Sequence, residues 1–209
     1  MEPVTDEQSD HWQRAYAERE VAELSWTEPI PATSLAKIGE AALPLDAAII
    51  DVGGGASRLA AELVGTGHSD VSVADLSAKA LGRAQADLGE NAGAVAWIEA
   101  DVREHDFGRR FDLWHDRAVF HFMVDPADRD SYLAVLHHSL RPGGHLILAT
   151  FGPDGPTECS GLAVNRYDAD TLLKTLGGDF KLVSSQLTEH RTPSGRGQQF
   201  LYAHLRSRD

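Results

Sequence analysis

The stretch IIDVGGGASRL, residues 49–59, decides the fold of this chain. Its first four residues suit a buried β-strand, because three of them are apolar and β-branched. Three glycines follow, and glycine lets the backbone turn sharply and approach a ligand closely. A helix is expected after them, at residues 56–64, and its free N–H groups can receive a ligand oxygen. The stretch therefore predicts a strand, a glycine turn and a helix; a plain tight turn without a ligand gives the same local pattern.

Strand and helix patterns alternate along the rest of the chain. Apolar runs at 71–75, 95–100, 111–115 and 145–151 predict strands, and amphipathic segments at 78–88, 126–140 and 168–176 predict helices. Two further strands, at 180–189 and 199–206, follow without a helix between them and predict an antiparallel pair. The order predicts a single doubly wound α/β domain, with a mostly parallel sheet covered by helices on both faces. Ligands of such sheets bind beyond the carboxyl ends of the strands.

The region before the glycine turn is predicted to be an N-terminal helical extension or lid, residues 1–31, ahead of a domain at residues 32–209. Thr33 or Ser34 is expected to cap a second helix. Trp12 and Tyr16 are spaced at i and i+4, which is typical of simple packing, and packing is preferred for Trp12. Tyr16 and Trp26 are kept as candidate substrate contacts.

Composition limits the classes of protein that fit. The chain has 209 residues, 42% of them hydrophobic, and a formal net charge of −13. It can bury a core without disulfides, and a single cysteine, Cys159, excludes a disulfide framework. The acidic balance argues against nucleic acid as a partner. The polar, acidic N-terminus and the lack of a long apolar run predict a cytoplasmic protein without a membrane span; oligomeric state is not indicated.

Two acidic residues stand at the ends of the second and third predicted strands. Asp75 lies 24 residues after Asp51, where a carboxylate can accept hydrogen bonds from the hydroxyls of an adenosine ribose. Asp101 lies where a carboxylate can accept a hydrogen bond from an adenine amino group. The alternatives are a helix cap before Ser77 and an ordinary loop acid. The glycine turn and these two acidic residues, each at a strand end, together favour a nucleoside-containing ligand.

In this order the motifs resemble those of class I, seven-strand S-adenosylmethionine-dependent methyltransferases. They read DVGGG at 51–55, DL at 75–76, DV at 101–102 and LRPGG at 140–144. The resemblance implies strand order 3-2-1-4-5-7-6 with the last strand antiparallel. It also implies S-adenosylmethionine as the cofactor, S-adenosylhomocysteine as the product, and methyl transfer by direct in-line displacement.

The resemblance also implies roles for the residues of the glycine turn. Gly53 and Gly55 would lie under the methionine part of the cofactor, and Asp51 would hold the turn and contact its ammonium group. Ser57 stands where many members of the family carry a further glycine. It would start the helix and donate a hydrogen bond to the cofactor.

The nucleoside part would be held by residues at the next two strand ends. By the same resemblance, Asp75 would bind the ribose hydroxyls, and Leu76 would pack on the adenine. Asp101 would contact the adenine amino group, with Val102 beside it.

The segment FDLWHDRAVFHF, residues 111–122, follows the fourth strand, where the family places the methyl acceptor. His115 and Asp116 are the candidate catalytic residues, as a base or as orienting groups, and His121 is a candidate substrate contact. The alternative is a fold-stabilising network in which Asp116 pairs with Arg117 and the histidines bond to backbone. No metal is expected.

A small molecule that offers a thiol, amine or hydroxyl is the favoured acceptor. A protein lysine is the alternative, because DVGGGASRL together with the segment 111–122 is similar to seven-strand lysine methyltransferases. Those enzymes carry Asp-Lys-Gly where this chain has Asp116-Arg117-Ala118. An NAD(P)-binding oxidoreductase and a non-catalytic cofactor-binding protein are the alternatives outside methyl transfer. The Pro-Gly-Gly turn at 142–144 and the terminal strand pair disfavour the oxidoreductase.

Overall fold

The computed structural model describes residues 6–18, 20–21 and 24–208, the side chains of residues 6–8 excepted. The parts of the expected N-terminal extension at residues 1–5, 19, 22 and 23 lie outside the described residues. The helices are α1 (Asp6–Glu18), α2 (Ala32–Glu40), α3 (Leu59–Gly65), α4 (Ala78–Leu88), α5 (Pro126–Ser139) and α6 (Ala169–Leu176). The strands are β1 (Ile49–Val52), β2 (Val71–Asp75), β3 (Val95–Glu99), β4 (Phe111–Arg117), β5 (Leu140–Phe151), β6 (Glu158–Cys159), β7 (Leu162–Ala163), β8 (Phe180–Arg191) and β9 (Gly197–Ser207). Within the described ranges, no helix is both long and apolar enough to cross a bilayer.

Seven strands form one sheet in the order β3-β2-β1-β4-β5-β9-β8. The first five are parallel, and β9 pairs antiparallel with both β5 and β8. The predicted fold class and strand order are therefore confirmed, with β8 and β9 as the expected sixth and seventh strands. The order reverses between β1 and β4, so the carboxyl ends of these two strands flank the switch point where ligands bind in such sheets.

The two faces of the sheet bury separate apolar cores. On β1, Ile49 packs in a cluster with residues of α2, α3 and α4, whereas Ile50 packs with residues of α5 and α6. Successive side chains of a strand point to opposite faces, so adjacent residues serve different cores. This alternation determines which side chains at the carboxyl ends of the strands can contact a ligand bound at that edge of the sheet.

Several boundaries differ from the sequence expectation. Helix α3 begins at Leu59 rather than residue 56, because the glycine turn continues to Ser57, whose N–H donates to the Gly54 carbonyl at 2.7 Å. Ser57 therefore does not start the helix; its hydroxyl accepts a hydrogen bond from the Leu59 N–H at 3.1 Å.

Helix α2 begins at Ala32 after Pro31, and its N-terminus has no side-chain cap. Ser34 consequently lies inside the helix rather than at its cap, and it is fully buried. Strand β5 begins at Leu140 rather than residue 145, because the backbone there pairs with Phe111. The segment after β5 contains the short antiparallel pair β6–β7. The expected division between residues 31 and 32 coincides with the start of α2 and stays a prediction.

Beneath the sheet, Trp114 of β4 and Tyr132 of α5 form a buried polar link. The Trp114 Nε1–H donates to the Tyr132 hydroxyl at 3.0 Å, and that hydroxyl donates to Asp116 Oδ2 at 2.7 Å. The backbone N–H groups of Val119 and Phe120 also donate to Asp116. Asp116 thus holds the turn after β4 and is fully buried.

We expect Tyr132→Phe to lower the free energy of unfolding by about 2 kcal/mol, because Trp114 and Asp116 both lose a buried hydrogen-bond partner. Urea denaturation measures the change. Asp70→Asn is the control: it breaks a partly exposed ion pair with Arg109, and such pairs contribute less than about 1 kcal/mol. An equal loss in both variants would contradict the importance assigned to the buried link.

Candidate functional site

A cavity of about 700 Å³ opens at the carboxyl ends of β1, β2 and β4. Helix α1 and the connecting segment, residues 24–31, lie over it. Helix α1 is held to the start of α4 by Gln13, whose side-chain oxygen accepts a hydrogen bond from the Ser77 hydroxyl at 3.1 Å. The cavity therefore lies where the fold predicts a ligand and is covered by the N-terminal part of the chain.

The glycine turn forms the floor of the cavity. Gly53 and Gly55 have φ angles of +66° and +48°, which favour glycine. A Cβ on Gly53 would collide with the side chain of Val119, and a Cβ on Gly55 would lie 2.6 Å from the Tyr16 hydroxyl. Gly53 lines the cavity, whereas Gly55 is covered by Tyr16. The turn thus requires glycine for both conformation and space.

A buried hydrogen-bonded series fixes the start of this turn. Asp51 and His115 lie opposite each other on the paired strands β1 and β4. The His115 Nδ1 lies 2.7 Å from Asp51 Oδ1, and its Nε2 lies 2.9 Å from the Ser34 hydroxyl. All three residues are at most 3% exposed. His115 therefore joins Asp51 to α2 through its two ring nitrogens and positions the Asp51 carboxylate, and its role as a catalytic base stays a prediction.

Asp75, at the end of β2, lines the cavity beside Leu76. Its Oδ1 accepts a hydrogen bond from the Ser77 N–H at 2.8 Å. Burial, reinforced by the nearby charge of Asp51, raises the pKa of Asp75 to about 7. The carboxyl group is therefore poised to accept hydrogen bonds from a ligand above neutral pH.

Asp101 and Val102 line the cavity beyond β3. Both carboxylate oxygens of Asp101 contact the Arg103 guanidinium, Oδ1 at 3.0 Å and Oδ2 at 2.5 Å. Arg103 also bonds to Asp128 at 3.0 Å. Asp101 reaches the expected position, but its carboxylate is already held by an arginine that the sequence did not single out.

Two residues of the fourth-strand segment do not reach the cavity. Asp116 points to the opposite face of β4 from His115 and Arg117, and burial raises its pKa to about 6. Its oxygens accept from Tyr132, Val119 and Phe120, so the geometry gives a catalytic role no support. His121 is fully buried against Phe151, and burial lowers its pKa to about 3.

Aromatic side chains form one wall of the cavity, near the end of β4. Trp12 meets Trp26 edge to face with ring centroids 5.6 Å apart, and it meets Phe122 in the same way at 5.3 Å. The Trp26 Nε1–H donates to the Tyr16 hydroxyl at 3.1 Å. Trp26 and Tyr16 thus both line the cavity, with Tyr16 nearer the glycine turn and Trp26 nearer the end of β4.

Arg117 ties the connecting segment to the sheet. Its Nε donates to the Tyr202 hydroxyl at 2.9 Å, and its Nη1 donates to the Trp26 carbonyl at 2.8 Å. The buried Nη2 lies 3.1 Å from Glu28 Oε1, as an ion pair without an aligned hydrogen bond. The guanidinium also lies 4.8 Å from the centre of the Phe200 ring. The pairing of Asp116 with Arg117, considered as an alternative, does not form, because adjacent strand residues point to opposite faces.

The structure brings most of the sequence-predicted residues together around the cavity and leaves a few outside it. Those that line it are Tyr16, Trp26, Asp51, Gly53, Ser57, Asp75, Leu76, Asp101, Val102 and His115. Gly55, Asp116 and His121 are outside the lining.

Sequence reasoning missed three contributors: Ser34, Arg103 and Glu28. The spacing of Arg103 two residues after Asp101 was an available signal, since the pair is local. Ser34 and Glu28 carry no such signal, because their partners are far away in the sequence.

Comparison with known families agrees with this geometry. Residues 49–144 match a family model described as a methyltransferase domain. A malonyl-[acyl-carrier protein] O-methyltransferase of Calditerrivibrio nitroreducens is 27% identical over 100 residues, which cover 46% of this chain and 40% of that protein. The match thus spans less than half of the length of this curated relative.

Solved structures share the fold over nearly the whole chain. A 1,6-didemethyltoxoflavin-N1-methyltransferase of Burkholderia thailandensis, with S-adenosylhomocysteine bound, has TM-score 0.72 and 22% identity over 100% of this chain and 93% of its own. The N-methyltransferase NodS of Bradyrhizobium japonicum, also with S-adenosylhomocysteine, has TM-score 0.70 and 18% identity over 96% and 100%. A methyltransferase of Anabaena variabilis has TM-score 0.76 and 14% identity over 100% and 98%. The expected resemblance to class I, Rossmann-like methyltransferases is confirmed.

We expect His115→Leu to lower the free energy of unfolding by about 3 kcal/mol, since it leaves the buried Asp51 carboxylate and the Ser34 hydroxyl without their partner. His138→Leu is the control, because His138 is exposed and lies 3.7 Å from an exposed Asp106. Urea denaturation of the two variants measures the difference. If His115→Leu is as stable as its control, the buried series does not hold the turn.

Proposed function

We propose that this chain, which has the class I methyltransferase fold, is an S-adenosylmethionine-dependent methyltransferase acting on a small molecule. One observation carries the proposal: Asp75 and the glycine turn face the same cavity at the switch point of the sheet. A nucleoside with an amino-acid chain needs both a carboxylate for its ribose and close backbone for its other end.

The described residues fit this cofactor. The backbone at Gly53 is open to a ligand, and Asp51 lies beneath it with its carboxylate fixed by His115. We assign the ribose contact to Asp75 and an apolar contact with the adenine to Leu76 and Val102. We assign the contact with the adenine amino group to Asp101, whose carboxylate is held by Arg103. Ser57 lies at the rim of the same turn. S-adenosylmethionine supplies a methyl group already activated on a sulfonium, so the protein mainly has to position the acceptor.

A small acceptor is supported by the cover over the cavity. Helix α1 and the connecting segment close much of the space beyond β4, which leaves room for a small molecule more readily than for a polypeptide. One similar protein, an N-methyltransferase, was solved with the small molecule 1,6-didemethyltoxoflavin bound, which supports this acceptor class. The curated relative is named for an O-methyl transfer, so the names support no single acceptor atom.

We expect S-adenosylhomocysteine to bind the wild-type protein and to bind more weakly as the pH falls. The pKa of Asp75 is about 7, and protonation removes the charge that accepts ribose hydrogen bonds. Between pH 8 and pH 6 the dissociation constant should therefore rise by about tenfold. Isothermal titration calorimetry measures it.

Asp75→Asn should weaken binding at pH 8 and flatten this pH dependence, while Asp46→Asn, an exposed carboxylate outside the cavity lining, should leave both unchanged. An unaltered pH profile in Asp75→Asn would mean that another group governs the titration. Failure of the wild type to bind S-adenosylhomocysteine would refute the assignment of the cofactor.

We expect tritium-labelled methyl groups from S-adenosylmethionine to enter the low-mass fraction of a cell extract incubated with the protein. Asp75→Asn is the control, because it should lose most of the transfer. Label found only in the protein fraction would favour a protein-lysine acceptor instead. Cofactor binding without transfer to either fraction would favour a non-catalytic binding protein.

A further inference from the structure

The part of the cavity next to the end of β4 has a composition different from the part next to β2 and β3. Near β2 and β3 the lining carries several carboxylates, whereas near β4 it is formed by Trp12, Trp26 and Phe122 with the side chains of Met123 and Leu162. We call this second part the acceptor half. Aromatic and thioether surfaces of this kind bind flat apolar molecules through ring contacts and burial of apolar area.

Arg117, at the edge of the acceptor half, is not available to a ligand. The Nε and Nη1 of Arg117 donate to Tyr202 and to the Trp26 carbonyl, and its Nη2 is buried against Glu28. An arginine that binds a carboxylate ligand needs two accessible N–H groups in a fork. Arg117 thus supports the wall and offers no such fork.

Glu28, in contrast to Arg117, offers a hydrogen-bond acceptor to a ligand. It lines the cavity, and its side chain remains 21% exposed. Its Oε1 lies 3.1 Å from Arg117 Nη2 and 3.4 Å from His190 Nδ1. Burial alone would raise the pKa of Glu28, but the hydrogen bond from His190 and the charge of Arg117 outweigh it and lower the pKa below its ordinary value. The group therefore remains an ionised hydrogen-bond acceptor at neutral pH.

We propose that the methyl acceptor is a flat aromatic or heteroaromatic molecule whose N–H or O–H group donates a hydrogen bond to Glu28, and that aromatic carboxylates are rejected. The rings of Trp12, Trp26 and Phe122 hold the flat body, and Glu28 sets its orientation. A carboxylate in the same place would face the Glu28 charge, while the neighbouring Arg117 already has its N–H groups engaged or buried. This inference rests on the proposed methyltransferase function.

The test compares two ligands with the same ring system, 2-naphthol and 2-naphthoate. Each is titrated by calorimetry into the protein saturated with S-adenosylhomocysteine. We expect 2-naphthol to bind about tenfold more tightly, because only it can donate to the carboxylate of Glu28. Glu28→Gln should remove most of the preference, since 2-naphthol loses a charged acceptor and 2-naphthoate no longer faces a negative charge.

Glu158→Gln is the matched control, because it makes the same change on an exposed residue outside the cavity lining, and it should keep the wild-type preference. The affinity of Glu28→Gln for S-adenosylhomocysteine shows whether that variant is folded. A merely structural role of Glu28 would weaken both ring compounds alike, and that result would overturn the inference.

The wild-type titrations decide the matter even if Glu28→Gln does not fold. Equal or tighter binding of 2-naphthoate, or binding of neither compound, would overturn the inference while leaving the cofactor assignment intact. Absence of S-adenosylhomocysteine binding would instead refute the proposed function, so the two failures are distinguishable.

Discussion

The hydrogen bond between Asp51 and His115 is the contact on which the arrangement of the site depends. It spans the two strands that flank the switch point, one ladder position before their last pair, Val52 and Asp116. A buried carboxylate is tolerated only when its oxygens have hydrogen-bond partners. The contact with His115 therefore allows Asp51 to be buried at the end of β1. Its continuation to Ser34 joins α2 to the sheet.

The side chains of strand β4 alternate between the apolar core and the cavity. Its residues alternate, so Trp114 and Asp116 enter the core under α5, while His115 and Arg117 face the ligand edge. The buried Asp116 fixes the turn that follows, and this turn places Val119 over Gly53. The two faces of one strand thus shape both the floor and the wall of the cavity.

The fold and the part of the cavity next to β2 and β3 could be predicted because their signals are local. The glycine turn, Asp75 and Asp101 each stand within one strand-to-helix connection, and hydrophobic periodicity gives the order of the elements. The acceptor half depends on contacts between distant segments, such as Arg117 with Trp26, 91 residues apart. Asp116 and Arg117 are adjacent in the sequence, which suggested that they pair, but they lie on opposite faces of β4. The end of α2 nearest Pro31 was misjudged because Ser34 looked like a cap, although its hydroxyl serves His115.

The acceptor half is built largely from pieces that lie outside residues 49–144, the part of the chain that matches the methyltransferase domain. Helix α1, the connecting segment and the β6–β7 pair supply Trp12, Trp26, Glu28 and Leu162, whereas the glycine turn and Asp75 lie inside. The residues proposed to hold the acceptor and those proposed to hold the cofactor therefore lie largely on different lengths of polypeptide. Exchange of residues 6–31 and 152–166 between related chains offers a route by which one transfer reaction can acquire new targets. The exchanged segment would still have to supply Arg117 with a carbonyl and a carboxylate, as Trp26 and Glu28 do here.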